Sequence, residues 1–287
     1  MPKTCPDCGT SEGIREAIYG MPDFEPDEAK YFITGCTSEG GKYVCINCKW
    51  GIEDTDINVI DTTFDMRLDS NGKDPDKASR TLKRYHKYLW SKPLPNGELF
   101  NLVTNRSGSY LHFKSDFYDL SLSSDSIAHS YRDVKRMKLV LADVPPEEIE
   151  SFRSLNSTIG GFIIFPARKM DGKMTINQER GTNHLIADRF DLTLECIKRH
   201  YEGAESPLSQ VLNRYADFFT LFQTFRGYVD FFLLNDLVDK DYRTINFLTE
   251  IKVPFSCSPL PSRSDHYEIY RRNSMEFVES RNRRISK

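Results

Sequence analysis

The sequence has no long apolar run and no start that resembles a secretory leader. No stretch of about 18 or more consecutive apolar residues occurs among the 287 residues, which argues against a transmembrane helix. The chain passes from Met1 almost directly into a cysteine pair, without the apolar segment that a signal peptide requires. From these absences we expect a protein of the reducing cytoplasm that has no membrane partner.

Common catalytic signatures are missing as well. The sequence contains no P-loop, no dinucleotide-binding glycine fingerprint and no H-E-x-x-H zinc motif. We also find no internal repeat and no low-complexity tract. Any chemistry must therefore be argued from smaller groups of residues.

Charge is distributed unevenly along the chain. The formal net charge is −3, but residues 1–60 carry five Lys and Arg against eleven Asp and Glu, which leaves +3 for residues 61–287. A phosphate backbone is bound through Lys and Arg. We therefore do not expect the acidic N-terminal segment to lie on nucleic acid.

Four of the seven cysteines form two C-x-x-C pairs, Cys5 with Cys8 and Cys45 with Cys48. This spacing lets both thiolates of a pair reach one ion, and two pairs complete the tetrahedron that zinc prefers. We predict a zinc ribbon over residues 1–52 with one structural Zn²⁺, whose closed coordination shell leaves no position for substrate. Ordinary free cysteines and a redox pair are the alternatives. Cys36 is either another ligand or a small buried residue, and we favour the latter.

The remaining chain alternates short strand patterns with longer helical ones, which predicts an α+β fold. We place a mixed domain at 59–287, helical from about 183, after the small N-terminal zinc ribbon. The strand patterns lie at 59–68, 99–104, 110–114, 119–123, 160–166 and 174–177. The helical patterns lie at 80–90, 145–155, 184–202, 207–222, 227–237 and 265–284.

The predicted helix at 184–202 carries the main candidate site. Asp188, Asp191 and Glu195 are spaced i, i+3 and i+7, so we expect three carboxylates on one face. Arg180 and His184 lie just before them. Carboxylates grouped in this way bind Mg²⁺ or Mn²⁺ for phosphodiester cleavage. The alternative is a solvated helix face with structural ion pairs.

Basic and aromatic residues give three further candidates for phosphate or base contacts. Arg180, in a polar loop between a predicted strand and a helix, could clamp a phosphate, or it could belong to a plain connection. His86, Trp90 and Lys92 suit a nucleobase contact or a helix end packed on the core. The arginines of the last helix suit nucleic-acid contact or a favourable charge at a helix C-terminus.

Four segments of the chain resemble a bacterial family of uncharacterised proteins. They are 84–95 (RYHKYLWSKPLP), 175–178 (TINQ), 186–197 (IADRFDLTLECI) and 225–232 (FRGYVDFF). The resemblance covers about residues 60–285 and implies kinship without an assigned activity, so no catalytic residue is carried over. The N-terminal segment is similar to small bacterial zinc ribbons of the form C-P-x-C-G.

Two classes of function remain open at this point. The first is a protein that acts on or binds nucleic acid or nucleotides through the mildly basic body and the carboxylates near Asp188. The second is a non-enzymatic interaction protein whose acidic ribbon docks a protein partner. Convergence of Arg180 or His184 with Asp188 and Asp191 in one cleft would favour the first class.

Overall fold

The computed structural model describes most of the chain, and two separate four-stranded sheets organise the described part. The described residues are 4–5, 10–20, 22, 24–34, 43–47, 50–52, 60–70, 72–104, 110–115 and 118–287. Within them, no helix is both long enough and apolar enough to cross a membrane.

The N-terminal sheet has the strand order β2-β1-β3-β4. Its strands are β1 (Ile14–Tyr19), β2 (Tyr31–Thr34), β3 (Tyr43–Cys45) and β4 (Trp50–Ile52). The β1–β2 pair is parallel, and the other two pairs are antiparallel. Cys5 and Cys45 are buried here in a small cluster with Ile14 and Tyr43. The other predicted ligands, and Cys36, lie outside the described residues.

The second sheet is fully antiparallel, with the order β5-β6-β7-β8. Its strands are β5 (Leu102–Thr104), β6 (Leu111–Lys114), β7 (Asp119–Ser126) and β8 (Phe162–Pro166). The β8 strand pairs with β7 as far as Ser126, but β6 pairs with β7 only as far as Leu122. Among the described residues, one edge of the last four residues of β7 therefore has no strand partner, and side chains can approach its main chain.

Helices surround this sheet in the described part of the chain. They are α1 (Pro75–Ala78), α2 (Arg80–Trp90), α3 (Pro146–Asn156), α4 (Ile176–Thr182), α5 (Phe190–Tyr201), α6 (Ser209–Arg214), α7 (Ala216–Thr220), α8 (Phe225–Phe231) and α9 (Ser264–Ile285). The core between them is rich in aromatic rings. The Phe222 ring centroid lies 5.0 Å from that of Phe231 and 5.1 Å from that of Phe232. Such a ring pair stabilises the fold by about 0.5–1.5 kcal/mol beyond the contribution from burying its apolar surface.

The structure confirms a mixed α+β fold with short strands and a helical C-terminal half. The predicted helix at 80–90 coincides with α2, and the predicted strand at 160–166 contains β8. The predicted strand at 59–68 is wrong, because the described residues 60–70 contain turns at 62–63 and 66–70 and no strand. Asp61 and Asp65 each accept the main-chain N–H two residues ahead, at 2.8 and 3.0 Å, which stabilises turns instead of a ladder.

Four other predictions differ from the structure at helix ends. The predicted strand at 174–177 is wrong, because Thr175 and Gln178 form a capping box that begins α4. The helix predicted over 207–222 is split at Tyr215, and the one over 227–237 ends before Leu233, which has a φ of 55°. The helix predicted over 184–202 begins only at Phe190.

Candidate functional site

A cleft of about 1170 Å³ lies beside the open edge of β7. Seven basic residues line it, namely Arg67, Lys73, Lys77, Arg132, Arg136, Arg153 and Lys169. Five carboxylates also line it, namely Asp74, Asp76, Asp125, Asp133 and Asp188. Within the described residues, four of the cations are exposed and form no ion pair: Lys73, Lys77, Arg136 and Lys169. The cleft therefore has unneutralised positive groups together with a set of acids.

Three possible metal ligands converge in this cleft from different parts of the chain. Asp125 lies near the end of β7, His129 lies in the loop that follows, and Asp188 lies just before α5. One carboxylate or imidazole ligand atom from each residue lies within 4.8 Å of the other two. Nε2 of His129 and Oδ2 of Asp188 are 2.9 Å apart.

Asp188 is directed into the cluster by a strained turn. Ala187 and Asp188 have φ values of 46° and 63°, in the left-handed region that side-chain-bearing residues rarely adopt. The turn is held by a bond from the Asp188 N–H to the carbonyl of Arg180 (3.0 Å) and by the Tyr131 hydroxyl, which donates to the Ala187 carbonyl (3.0 Å). Strain of this kind costs of order 1–3 kcal/mol per residue and is concentrated at functional sites.

Arg180 holds two of these carboxylates from behind. It is completely buried, and its guanidinium donates to Oδ2 of Asp125 and lies 3.6 Å from Oδ1 of Asp188. It also donates to Oγ1 of Thr193 at 2.9 Å. Because Arg180 does not line the cleft, the expectation that it clamps a phosphate does not fit the structure. Its geometry suits a residue that positions Asp125 and Asp188.

Several buried polar atoms around the cluster make no hydrogen bond within the described structure. They are Nε2 of His129, Oδ1 of Asp188, Oδ1 of Asn177 and Oδ1 of Asn156. The His129 nitrogen is at ion-pair distance from Asp188 but is not aligned for a hydrogen bond. Buried polar groups are normally satisfied. Three of these four atoms are oxygens that can only accept hydrogen bonds. Such oxygens can be satisfied by a bound cation or by a hydrogen-bond donor of a ligand.

The electrostatics couple the three residues. Burial disfavours the charged form of His129, but the carboxylates of Asp188 and Asp125 outweigh burial and raise its pKa. Burial also opposes the charge of Asp188, yet His129 and Arg180 outweigh it and lower the pKa of that carboxyl. Burial raises the pKa of Asp125, against the opposing effect of Arg180. A pKa that is shifted by burial and by specific neighbouring charges, in a residue of a cleft, is typical of functional groups.

The structure brings together some of the residues predicted as a site and separates others. Asp188 belongs to the cluster, and the exposed His184 lines the same cleft. The three carboxylates do not share a helix face, because Asp188 precedes α5 in a left-handed turn. Asp191 is fully buried and binds the guanidinium of Arg189, while Glu195 is buried against Lys198 and Arg199. The expected solvated helix face is absent as well, although the Glu195–Arg199 pair is present at 2.8 Å.

Sequence reasoning missed Asp125 and His129 as members of the site. The available signal was an Asp at a strand end, followed by a His four residues later and preceded by a run of serines. Local pattern does not show that these residues face Asp188, because a loop, α3, β8 and α4 separate them along the chain.

Two other basic or aromatic candidates prove to be structural. Trp90 and His86 are buried in the core, which excludes the nucleobase contact. Arg281 is also fully buried, and it donates to the carbonyls of Gly160, Phe162 and Phe232. Arg284 pairs with Asp236, and Arg271 pairs with Glu148 and Glu268. The last helix therefore does not present a continuous basic strip.

A model of a family of unknown function, DUF6994, matches residues 60–285 of the chain. The chain therefore belongs to this family. No curated protein and no solved structure matches the chain significantly. The matched range contains every residue of the candidate site and excludes the N-terminal sheet, so the site belongs to the part of the chain that defines the family.

Proposed function

We propose that this member of the DUF6994 family binds a divalent cation through Asp125, His129 and Asp188, and that it uses the cation to bind a nucleotide and to hydrolyse the phosphoanhydride or phosphate ester bond that holds the terminal phosphate. The convergence of these three ligands in a cleft with unpaired basic residues is the observation that carries the proposal.

The spacing and chemistry of the three residues suit one ion. Two ligands at right angles on an ion, with bonds of about 2.1 Å, lie about 3 Å apart, and His129 Nε2 lies 2.9 Å from Asp188 Oδ2. Two carboxylates favour Mg²⁺ or Mn²⁺, and the imidazole adds affinity for transition metals, so Mn²⁺ is the appropriate probe. A cation would also satisfy the buried Oδ1 of Asp188, which has no hydrogen bond among the described residues.

The basic residues around the cleft favour a phosphate-bearing ligand. Lys73 and Lys77 belong to the segment at α1, Arg136 belongs to a short 3₁₀ helix, and Lys169 lies in the loop after β8. The four cations therefore line the cleft from three parts of the chain. A long polymer would also need a basic track outside the cleft. Three of the five arginines of α9, Arg271, Arg281 and Arg284, are buried or paired, which interrupts such a track on this helix. The arrangement therefore favours a nucleotide over a nucleic-acid polymer.

The proposed chemistry needs only water as a second substrate. A bound divalent cation polarises the phosphate and lowers the pKa of bound water. The water oxygen forms a bond to the terminal phosphorus, the bond from this phosphorus to the bridging oxygen (P–O–P or P–O–C) breaks, and the leaving oxygen takes up a proton that the water gives up. Arg180 contributes by fixing Asp125 and Asp188 before the ligand binds.

The proposal is tested by phosphate release from ATP, ADP and AMP in the presence of Mn²⁺. We expect phosphate release by the intact chain and a decrease of more than about tenfold in its rate in Asp188→Asn. Loss of a residue that only orients a metal ligand typically costs about tenfold or more in activity, and loss of the ligand itself should cost at least as much. Asp171→Asn is the matched control, since Asp171 also has a positive φ (53°) but lies outside the cleft. Equal activity in the two variants, or no Mn²⁺-dependent release from any of the three nucleotides, would contradict the proposal.

A structural zinc ion in the N-terminal module is a second part of the proposal. Cys5 and Cys45 are buried in one cluster, although they belong to different C-x-x-C pairs. The segment after the first pair also contacts the two residues inside the second pair: Ile46 N–H donates to the Gly13 carbonyl at 2.9 Å, and Asn47 donates to Thr10 Oγ1 at 3.3 Å. These contacts support a ribbon in which both pairs serve one ion.

Protein docking by the N-terminal module is the second candidate function. The edge strand β2 exposes Phe32 and Ile33, and Phe24 is exposed nearby in sequence. Apolar residues on an unpaired edge are a common docking surface. We expect Phe32→Ser with Ile33→Ser to abolish cross-linking of the intact chain to a partner in cells while leaving phosphate release unchanged. Unchanged cross-linking would exclude this surface.

A further inference from the structure

Three side chains connect the core to the wall of the cleft through hydrogen bonds. The indole N–H of Trp90 donates to Nδ1 of His86 at 2.9 Å, and Nε2 of His86 lies 2.9 Å from Oγ of Ser124. Trp90 and His86 lie one turn apart on α2 and are buried. Ser124, on β7, is also largely buried, with 7% of its surface exposed, and it is one of the residues that line the cleft.

The first of these bonds fixes the direction of the second. An indole nitrogen can only donate, so Nδ1 of His86 must be the unprotonated nitrogen that accepts. The proton of a neutral imidazole then lies on Nε2, which donates to Oγ of Ser124. Burial, together with the charge of Arg281, lowers the pKa of His86 to about 3, so the ring stays neutral.

This direction is the reverse of the one that a serine nucleophile requires. An activated serine donates its hydroxyl proton to a histidine that acts as a base. Ser124 instead accepts a hydrogen bond from the Nε2–H of His86. Its own O–H makes no hydrogen bond to another acceptor in the described part of the chain. Ser124 therefore keeps one free donor at the wall of the cleft.

The main chain of Ser124 is fixed where β6 no longer pairs with β7. Its N–H donates to Oδ1 of Asp76 at 2.5 Å, and its carbonyl accepts from Nδ2 of Asn177 at 3.3 Å. Burial, with smaller contributions from Asp74 and Asp125, raises the pKa of Asp76 to about 7 and so reduces its negative charge near neutral pH. The exposed cations Lys73 and Lys77 flank it in sequence.

We propose that Ser124 donates its hydroxyl proton in a hydrogen bond to a non-bridging phosphate oxygen of the ligand in the cleft, and that Trp90 and His86 are positioning residues that hold Ser124 in this role. The inference rests on the proposed function and specifies how its phosphate is recognised. It also excludes a phosphoserine intermediate at Ser124.

The positioning role is tested on the unmodified full-length chain by ¹⁵N–¹H NMR of the histidine rings. We expect His86 to carry its proton on Nε2, with an unprotonated Nδ1, and to keep this state between about pH 5 and about pH 9. A proton on Nδ1, or a protonated ring in this range, would overturn the inference. The measurement does not require a substitution in the core, so it remains informative if Trp90→Phe fails to fold.

The phosphate contact is tested by binding of inorganic phosphate in the presence of Mn²⁺. We expect Ser124→Ala to weaken phosphate binding about tenfold, the usual effect of losing a hydrogen bond to a charged group, and to leave Mn²⁺ affinity within about twofold. Ser121→Ala is the matched control, because Ser121 lies on the same strand beside His112 (3.4 Å) but outside the cleft. It should bind phosphate normally.

The outcomes separate the two proposals. Normal phosphate binding by Ser124→Ala, with Mn²⁺-dependent binding by the parent chain, would overturn the role of Ser124 and leave the proposed function intact. Equal weakening in Ser121→Ala would also overturn the specific contact. Absence of Mn²⁺-dependent phosphate binding in the parent chain would overturn the proposed function and this inference with it.

Discussion

Nε2 of His129 lies 2.9 Å from Oδ2 of Asp188, although one residue follows a strand of the sheet and the other precedes a helix of the C-terminal half. The contact depends on a left-handed turn at Ala187 and Asp188 and on the buried guanidinium of Arg180. Conformational strain in this turn and a buried charge at Arg180 thus accompany the contact between these two side chains. This is the arrangement that the proposed cation site requires.

Replacement of Arg180 should destabilise the fold through the carboxylates that it leaves behind. We expect Arg180→Met to lower the free energy of unfolding by about 3–5 kcal/mol, because Asp125 loses its buried partner. Adding Asp125→Asn should restore at least about 1 kcal/mol, since the unpaired charge is removed. Urea denaturation measures both values.

The control for Arg180→Met is Arg263→Met, because the Arg263–Asp265 pair is exposed. Loss of this pair should lower the free energy of unfolding by less than about 1 kcal/mol. If Asp125→Asn destabilised the Arg180→Met chain further, the carboxylate would not be the source of the loss.

Asp76 should make the fold less stable as the pH rises. Burial raises its pKa from 3.8 to about 7, so the folded state binds a proton more tightly than the unfolded state. Its contribution to the free energy of unfolding therefore falls between about pH 4 and about pH 7 and stays low above that range. Asp76→Asn keeps an acceptor for the Ser124 N–H but cannot ionise.

We expect the free energy of unfolding of Asp76→Asn, relative to that of the parent chain, to be on the order of 2 kcal/mol higher at about pH 8 than at about pH 4. Chemical denaturation at the two pH values, with a chelator present, measures this difference. A stability difference that is independent of pH would show that Asp76 does not titrate in this range.

The unpaired cations of the cleft should contribute to nucleotide affinity and not to cation affinity. We expect Arg136→Ala and Lys169→Ala each to weaken ATP binding about three- to tenfold, with an unchanged affinity for Mn²⁺. Lys252→Ala is the control, because Lys252 is exposed but lies outside the cleft. Calorimetry measures both affinities, and identical ATP binding in all three variants would contradict the phosphate-binding role of these residues.

The zinc prediction is tested by the metal content of protein purified without added metal. We expect one zinc per chain by mass spectrometry, and its loss from the Cys45→Ala/Cys48→Ala variant, because two thiolates cannot complete the tetrahedron. Mn²⁺ binding in the cleft should survive this change. A parent chain without zinc would contradict the ribbon.

The sequence allowed the class of fold to be predicted but not the full site. Helix α2 was predictable because Ser79 caps it and its apolar residues recur on one face. The start of α5 was not predictable, because the helical period continues back through Asp188 while tertiary contacts hold that residue in a left-handed turn. Asp125 and His129 were missed for a similar reason, since their partner is distant in sequence. Asp188 could be identified only as one of several carboxylates.

Binding of Mn²⁺ to the full-length chain, measured by titration calorimetry, is the most direct test of the central claim. The account predicts one Mn²⁺ site per chain that Asp188→Asn weakens more than about tenfold, whereas Asp171→Asn leaves it unchanged. Asn suits the left-handed conformation of both positions, so neither variant should lose its turn. No Mn²⁺ binding by the parent chain, or equal binding by the two variants, would mean that His129 and Asp188 form only an internal ion pair.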